Sequence, residues 1–429
     1  MNTVSNVAIV EHGGHDAGRK RLFDGTHRSR PVEETLALVA PVLDRFGITR
    51  VADITGLDAV GIPVFAAYRP NSRSLAVSQG KGITRAAARV SAVMEAVENC
   101  HAEYARCLCR IESYSELSRH EHVAPPDRLP LRLDTRFSTT RPIPWTRGFD
   151  IAREQDSWVP YELVHMNATV PRVPGSGCFC SGSNGLASGN GVAEAMVHAL
   201  CEVIERDAIS LWQAEGPTRW ARTTLDIRTV DDPVCCGLLE KFEAASCGVT
   251  VWDVASDAGV PVFYVAVFDD GGHLLRPLPA AYGSGCHPDR RIALSRALTE
   301  AAQSRLTVIS GARDDLSRER YSQFLSPQAL TFRERVLRRK IGESKPFGDV
   351  PTVLHSRFNE DIEFLVRRLQ SIGCDSVIVV DLSEPNGIAS VVRVIVPGME
   401  PPAQSPAAKP GARLRRQLNE HLRIPRTDA

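Results

Sequence analysis

The chain has 429 residues, with 51 Lys and Arg against 51 Asp and Glu and a formal net charge of zero. That length suits about two to three domains or one composite domain with a sizeable core. The charge balance excludes the bulk field expected of a protein that binds nucleic acid or an anionic membrane nonspecifically. The first thirty residues carry His12, Asp16, Arg19 and Lys20 but no apolar h-region, and no run reaches the roughly 18 apolar residues of a membrane span. A cytoplasmic protein is expected, with its eleven cysteines reduced. Two CxC pairs, Cys107/Cys109 and Cys178/Cys180, are too closely spaced for the usual structural zinc site and read as ordinary small buried residues.

In chain order, residues 1–30 read as an irregular lead-in, and 31–47 have helical apolar spacing stopped by Gly47. Strands are expected within 48–55 and 61–70, then a long helix over about 84–106. The polar, proline-rich stretch 111–175 reads as loops and a peripheral lobe. A second long helix is expected over about 192–214, two strands within 248–269, and a third long helix over about 290–310. A helix near 359–372 and strands at 375–381 and 389–396 follow. From Pro397 a proline-rich exit leads into a basic tail (Arg413, Arg415, Arg416, Arg423, Arg426) that reads as solvated. Alternating strands and helices place the chain in the α/β or α+β class.

The three long helices align with one another. Ala88, Ser91, Ala92, Glu95 and Glu98 of the first match Ala195, His198, Ala199, Glu202 and Glu205 of the second, and Ala293, Arg296, Ala297, Glu300 and Gln303 of the third. Glycine-rich turns are expected upstream of each, at Gly80-Lys81-Gly82, Gly189-Asn190-Gly191 and Gly283-Ser284-Gly285. Positions i, i+4 and i+7 share one helix face, so each polar triplet projects together. The flanking residues are apolar nearly all round, which implies buried helices and buried carboxylates in need of partners. Glu95, Glu98, Glu202 and Glu205 outnumber the nearby Arg206, Arg296 and Arg305. Hard oxygen ligands without histidine–cysteine clusters suit Mg²⁺, which takes one or two carboxylates and fills its shell with phosphate and water. Purely structural salt bridges are the alternative. The small-residue loop Ser183-Asn184-Gly185 lets backbone approach a ligand closely. No P-loop is present, because Leu75 and Gly82 occupy two of its obligatory positions.

These motifs, in this order, resemble the YcaO family of ATP-dependent enzymes that modify backbone amides, over about residues 31–400 with 401–429 as a tail. The resemblance implies an α+β, YcaO-type fold with mixed sheets and long helices enclosing an ATP and Mg²⁺ site. It implies Glu95, Glu98, Glu202 and Glu205 as magnesium ligands, with Glu205 and Arg206 at the phosphoryl-transfer centre. Nucleotide contacts are implied for Arg28, Thr35, Lys81, Ser91, Ser183, Asn184, Arg206, Glu300, Gln303 and Arg305. Asn99 stands where many members have arginine. The C-terminal PxPxP of azoline-forming members has no match in Arg423-Ile-Pro-Arg-Thr-Asp-Ala429. Gly25-Thr26-His27-Arg28, Pro31 to Leu36 and Val396 to Glu400 look like the stand-alone, TfuA-associated group. Thioamide formation on a peptide or protein with a TfuA-type sulfur-delivery partner is therefore expected, with no nucleic acid or membrane partner and a homodimer as a common state of such folds. Azoline formation with a separate recognition partner is the alternative. A metal-dependent phosphohydrolase and a non-catalytic nucleotide-binding accessory protein are the rivals of other classes.

Overall fold

The computed structural model describes residues 18–423 other than 24, 106, 108, 270–277, 325, 327–343, 386 and 403–406. The last six residues, on which the tail comparison rests, lie outside the described residues. A hairpin of β1 (Arg21–Phe23) and β2 (Thr26–Arg28) precedes α1 (Val32–Val39). An antiparallel meander of β3 (Arg50–Asp53), β4 (Val64–Tyr68) and β5 (Val77–Lys81) leads into α2 (Arg85–Glu103). Next come β6 (Cys109–Glu112), β7 (Ile143–Asp150), β8 (Gln155–Pro160) and β9 (Leu186–Gly189), followed by α3 (Val192–Glu215). After α4 (Pro233–Ala244), a second meander of β10 (Cys247–Asp253), β11 (Val262–Asp269) and β12 (Ala281–Cys286) leads into α5 (Arg290–Ser310). The chain continues through α6 (Phe358–Ser371), β13 (Ile378–Asp381), β14 (Ser390–Ile395) and α7 (Ala412–Arg423). Strands β13 and β14 join a six-stranded sheet of order β6-β7-β13-β14-β9, with β8 paired to β7.

The repeat seen in the sequence is a structural ring. Helix α2 lies on its own strand β5 and reaches β9, α3 lies on β9 and reaches β12, and α5 lies on β12 and reaches β5. The glycine motifs expected as turns lie in or at the ends of these strands. They are glycine because the helix comes down onto the strand backbone. A Cβ on Gly80 would stand 1.9 Å from Ala92 N, and one on Gly283 would stand 2.2 Å from both Ala297 O and Ala301 N. The recurring alanines supply the other half of that close approach, and Ala88, Ala92, Ala195, Ala199, Ala293 and Ala297 are all fully buried.

Three further expectations change. Residues 143–160 form two sheet strands rather than peripheral loops, because Trp145 and Trp158 bury almost completely between β7, β8 and the neighbouring core. The described part of the lead-in is not irregular: β1 and β2 pair there, and Lys20 Nζ meets Asp361 at 2.6 Å with both side chains buried. The tail is not simply solvated, because Arg413 on α7 binds Asp207 at 3.0 Å and is 8% exposed. All eleven cysteines are free. Cys178 is buried as expected, but Cys109 is exposed on β6, and burial pushes the Cys107 thiol up to about 11. No described helix is long and apolar enough to cross a membrane.

Candidate active site

The ring encloses a cavity of about 460 Å³, and the three polar triplets all face into it: Ser91, Glu95 and Glu98; His198, Glu202 and Glu205; Arg296, Glu300 and Gln303. Each helix also reaches the strand that follows in the ring. Ser284 Oγ on β12 lies 2.8 Å from Glu205 Oε1 on α3, and Gln303 Nε2 on α5 donates to Gln79 O on β5 at 2.6 Å. Glu300 pairs with Lys81 of β5 and accepts from Ser284 N at 3.2 Å. These contacts run across the ring, so no local sequence pattern reports them.

Charge is divided unevenly within the cavity. Burial pushes Glu95 up to about 7 despite Lys81, and pushes Glu202 up to about 7 despite Arg206. Glu98 is raised well above its usual range by burial and by Glu202 and Glu95. Burial acts on Glu300 in the same direction, but Lys81 and Arg206 outweigh it and hold that carboxyl at about 2. Arg206 sits 3.4 Å from Glu205 and 4.0 Å from Glu202, and the carboxylates Glu205, Glu300 and Glu202 overcome burial to keep it firmly protonated. Glu95, Glu98 and Glu202 are thus carboxylates short of cations, which is the environment a divalent ion relieves. Among the described residues no three His, Cys, Asp or Glu side chains converge tightly enough to hold a metal unaided.

The N-terminal segment contributes the opposite wall. Arg28 and Thr35 both line the cavity. Glu194 on the first turn of α3 receives Arg28 at 3.2 Å and the Ser29 backbone N–H at 3.0 Å, and Thr35 Oγ1 lies 2.7 Å from Asn190 Oδ1. Glu194 escaped the sequence reading, and Asn190 entered it only as part of a glycine-rich turn, although the two straddle Gly191 where α3 begins. His198 was seen only as one of the triplet. Its Nε2 accepts from Arg296 at 2.7 Å, which requires a neutral ring, and burial together with Arg296 lowers its pKa well below the usual value. Asn99 donates to Ser78 Oγ at 3.1 Å, an internal contact.

Lys81, Ser183 and Arg206 also line this cavity. Two expected nucleotide contacts stand elsewhere. Arg305 is 7% exposed and is held by Asp58 at 2.6 Å and Asp269 at 2.7 Å, so it braces α5 against a loop and the end of β11 outside the cavity. Asn184 lines a neighbouring cavity that shares Ser183, Glu202 and Arg206 with the central one.

Known proteins share this fold. A family model described as YcaO cyclodehydratase, ATP- and Mg²⁺-binding, matches residues 79–400. An uncharacterised protein from the tfuA 3′ region of Rhizobium leguminosarum bv. trifolii is 39% identical over 376 residues, 86% of this chain and 87% of that protein. An uncharacterised protein of Methanothermobacter thermautotrophicus is 37% identical over 375 residues, 86% of this chain and 93% of that protein. The structure of YcaO from Methanopyrus kandleri bound with AMPPCP and Mg²⁺ superposes with a TM-score of 0.68 at 25% identity, over 89% of this chain and 95% of that one. A heterocyclase in complex with substrate and cofactor shares the fold, with a TM-score of 0.73 at 23% identity over 90% of this chain, which spans only 54% of the heterocyclase. The chain belongs to the YcaO family, whose members bind ATP and Mg²⁺.

Proposed function

We propose that this protein uses ATP and Mg²⁺ to activate a backbone amide of a peptide or protein and converts it to a thioamide, with sulfide supplied by a TfuA-type partner. One observation carries the amide-activation reading. Arg206 borders both the central cavity, with Glu95, Glu98, Glu202 and Glu205, and a second cavity behind it, so a phosphoryl donor and an acceptor can meet at one guanidinium. The relative from a tfuA 3′ region supports the partner and the sulfur chemistry. Azoline formation is the second reading, supported by the description of the family model as a cyclodehydratase.

Sulfide adds to the amide carbon, and the former carbonyl oxygen takes the γ-phosphoryl group of ATP. Phosphate then leaves with that oxygen and a C=S bond remains. Amide, hydrogen sulfide and ATP thus give thioamide, ADP and phosphate. Bound Mg²⁺, held by Glu95, Glu98, Glu202 and Glu205, would neutralise charge on the phosphates. Arg206 directs its charge to the transferring group, and Glu205, fixed by Ser284, orients Arg206. Lys81 and Glu300 form an ion pair in the cavity wall. Arg28, Thr35, Ser91, Ser183 and Gln303 complete the nucleotide wall. No protein nucleophile is needed.

The test is mass spectrometry of candidate peptides incubated with the protein, ATP, Mg²⁺, sulfide and a TfuA-type protein. A thioamide adds about 16 Da through exchange of oxygen for sulfur, whereas an azoline removes about 18 Da through loss of water. ATP hydrolysis without any change of peptide mass would favour a phosphohydrolase instead.

A further inference from the structure

Among the described residues the hairpin of β1 and β2 is a two-stranded sheet of its own. Such a unit is marginal in water unless its flanks hold it. Both flanks are tied down. On one side Lys20 N donates to Ser356 O at 2.9 Å, and Lys20 Nζ reaches Asp361 in the first turn of α6. On the other side Ser29 N donates to Glu194 of α3 at 3.0 Å. Between these anchors the hairpin is a strap along the wall of the central cavity, which Thr26 and Arg28 line.

Side chains alternate along a strand, so the half-buried His27 between those two faces the other way. Its ring meets that of His287, just before α5, with centroids 5.4 Å apart. His287 is 8% exposed, and its Nδ1 accepts from Asp289 N at 2.9 Å. The charged groups acting on His27 are Lys20 and Arg291, which disfavour a proton, and Asp361 and Asp289, which favour one. Both carboxylates are already engaged. Asp361 holds Lys20 at 2.6 Å and lies 2.8 Å from His355 Nδ1, and Asp289 holds Arg291 at 2.7 Å. Asp289 is also the N-cap of α5, so the positive end of that helix lies here too. A proton on His27 therefore adds charge where the nearby acids are spent. Burial first, then Lys20, lowers the pKa of His27. Burial, then His27, Lys20 and Arg296, lowers that of His287 well below its usual value.

We propose that this hairpin is a proton-operated gate on the central cavity: it stays seated while His27 rests neutral against neutral His287, and a proton on His27 lifts it and carries Thr26 and Arg28 out of the cavity wall. The sign follows from the two states. Lifting exposes His27 to water, where its pKa returns to 6.5, so the lifted state binds the extra proton. Acid therefore favours opening, progressively below pH 6.5. The carboxyls of Glu95 and Glu202 act in the opposite sense, because burial raises them to about 7 and acid relieves the closed cavity.

Hydrogen exchange of the full, ligand-free chain, followed by mass spectrometry and scaled for the intrinsic rate at each pH, reads the gate directly. Peptides spanning the hairpin should lose protection about five- to tenfold between pH 7.5 and 5.5, the change expected of one histidine. Peptides from α5 and β11 should not, which separates local opening from global unfolding. His27→Asn, uncharged at every pH, should lose the pH response. His27→Lys, charged throughout this range, should leave the hairpin open at pH 7.5 with α5 and β11 still protected. Equal protection of the native hairpin at both pH values, an undiminished response in His27→Asn, or a fully protected hairpin in His27→Lys would each overturn the gate. The measurement uses no nucleotide, sulfide or peptide substrate, so the gate stands or falls apart from the amide-activation reading.

Discussion

Replacing Glu202 with glutamine should act in opposite directions on the empty and the loaded protein. Glu202 lies in the cavity wall with a carboxyl raised from 4.5 to about 7, first by burial and then by Glu205, with Arg206 opposing. The folded-state value exceeds the unfolded one, so the folded protein holds an extra proton between those two pH values. Stability then falls as pH rises through that window, and the loss is complete above pH 7. At about 1.4 kcal/mol per pH unit the cost reaches about 3 kcal/mol at most. Glutamine resembles the protonated acid, so Glu202→Gln should raise the melting temperature of the ligand-free protein at pH 8 by a few degrees. At pH 4.5 or below the difference should vanish. The same variant should lose the thermal protection that ATP gives only with Mg²⁺, because a neutral amide cannot replace a carboxylate ligand. Scanning fluorimetry at both pH values, with and without Mg·ATP, reads all of this. A ligand-free variant that melts at or below the native protein at pH 8 refutes the electrostatic account. Full Mg·ATP protection in the variant refutes the metal role.

Other consequences are as direct. Glu95 and Glu202 are both near 7, so Mg·ATP affinity should fall below pH 7 by about tenfold per pH unit for each carboxylate that must release its proton. Calorimetry in buffers of different ionisation enthalpy should show that release, and an affinity flat between pH 6 and 8 would contradict it. Gly80→Ala forces α2 off β5 and should cost at least about 3 kcal/mol in urea unfolding, while Gly56→Ala, whose Cβ meets nothing within 4 Å, should be close to neutral. Equal midpoints for the two would undo the close-packing account of the glycine strands. Arg413→Ala leaves the fully buried Asp207 without its guanidinium and should cost about 3–5 kcal/mol, detectable in the same titration. An unchanged midpoint would mean that α7 is held by something else.

The acidic triplets were legible because a helix writes its inward face into the chain at a fixed spacing, and because that face was written three times. The meaning of the glycines was not. A glycine-rich strand has no β-branched signature, and only the helix lying on it explains its composition. Trp145 and Trp158 were hidden for a related reason: they sit in a stretch whose prolines and polar residues outweigh two buried rings in any local reading. Lys20, Arg28, Arg305 and Arg413 share a third difficulty. Their partners are Asp361, Glu194, Asp58 with Asp269, and Asp207 with Asp257, tens to hundreds of residues away. Spacing along a chain cannot distinguish an arginine that faces a ligand from one that braces a helix against a loop and a strand end, so Arg305 was assigned to the nucleotide.

The ring also orders events in time. Its last joint is made when α5 meets β5, through Lys81 with Glu300 and Gln303 with Gln79, pairs separated by 219 and 224 residues. Contacts that distant form late, since a long loop must close before they repay its entropy. Until then the face of α2 that carries Glu95 and Glu98 is open to water, and its acids titrate as free ones do. Closure is the step that removes water from them, so proton uptake during refolding at neutral pH should coincide with the joining of the first unit to the last, well after the helices themselves have formed.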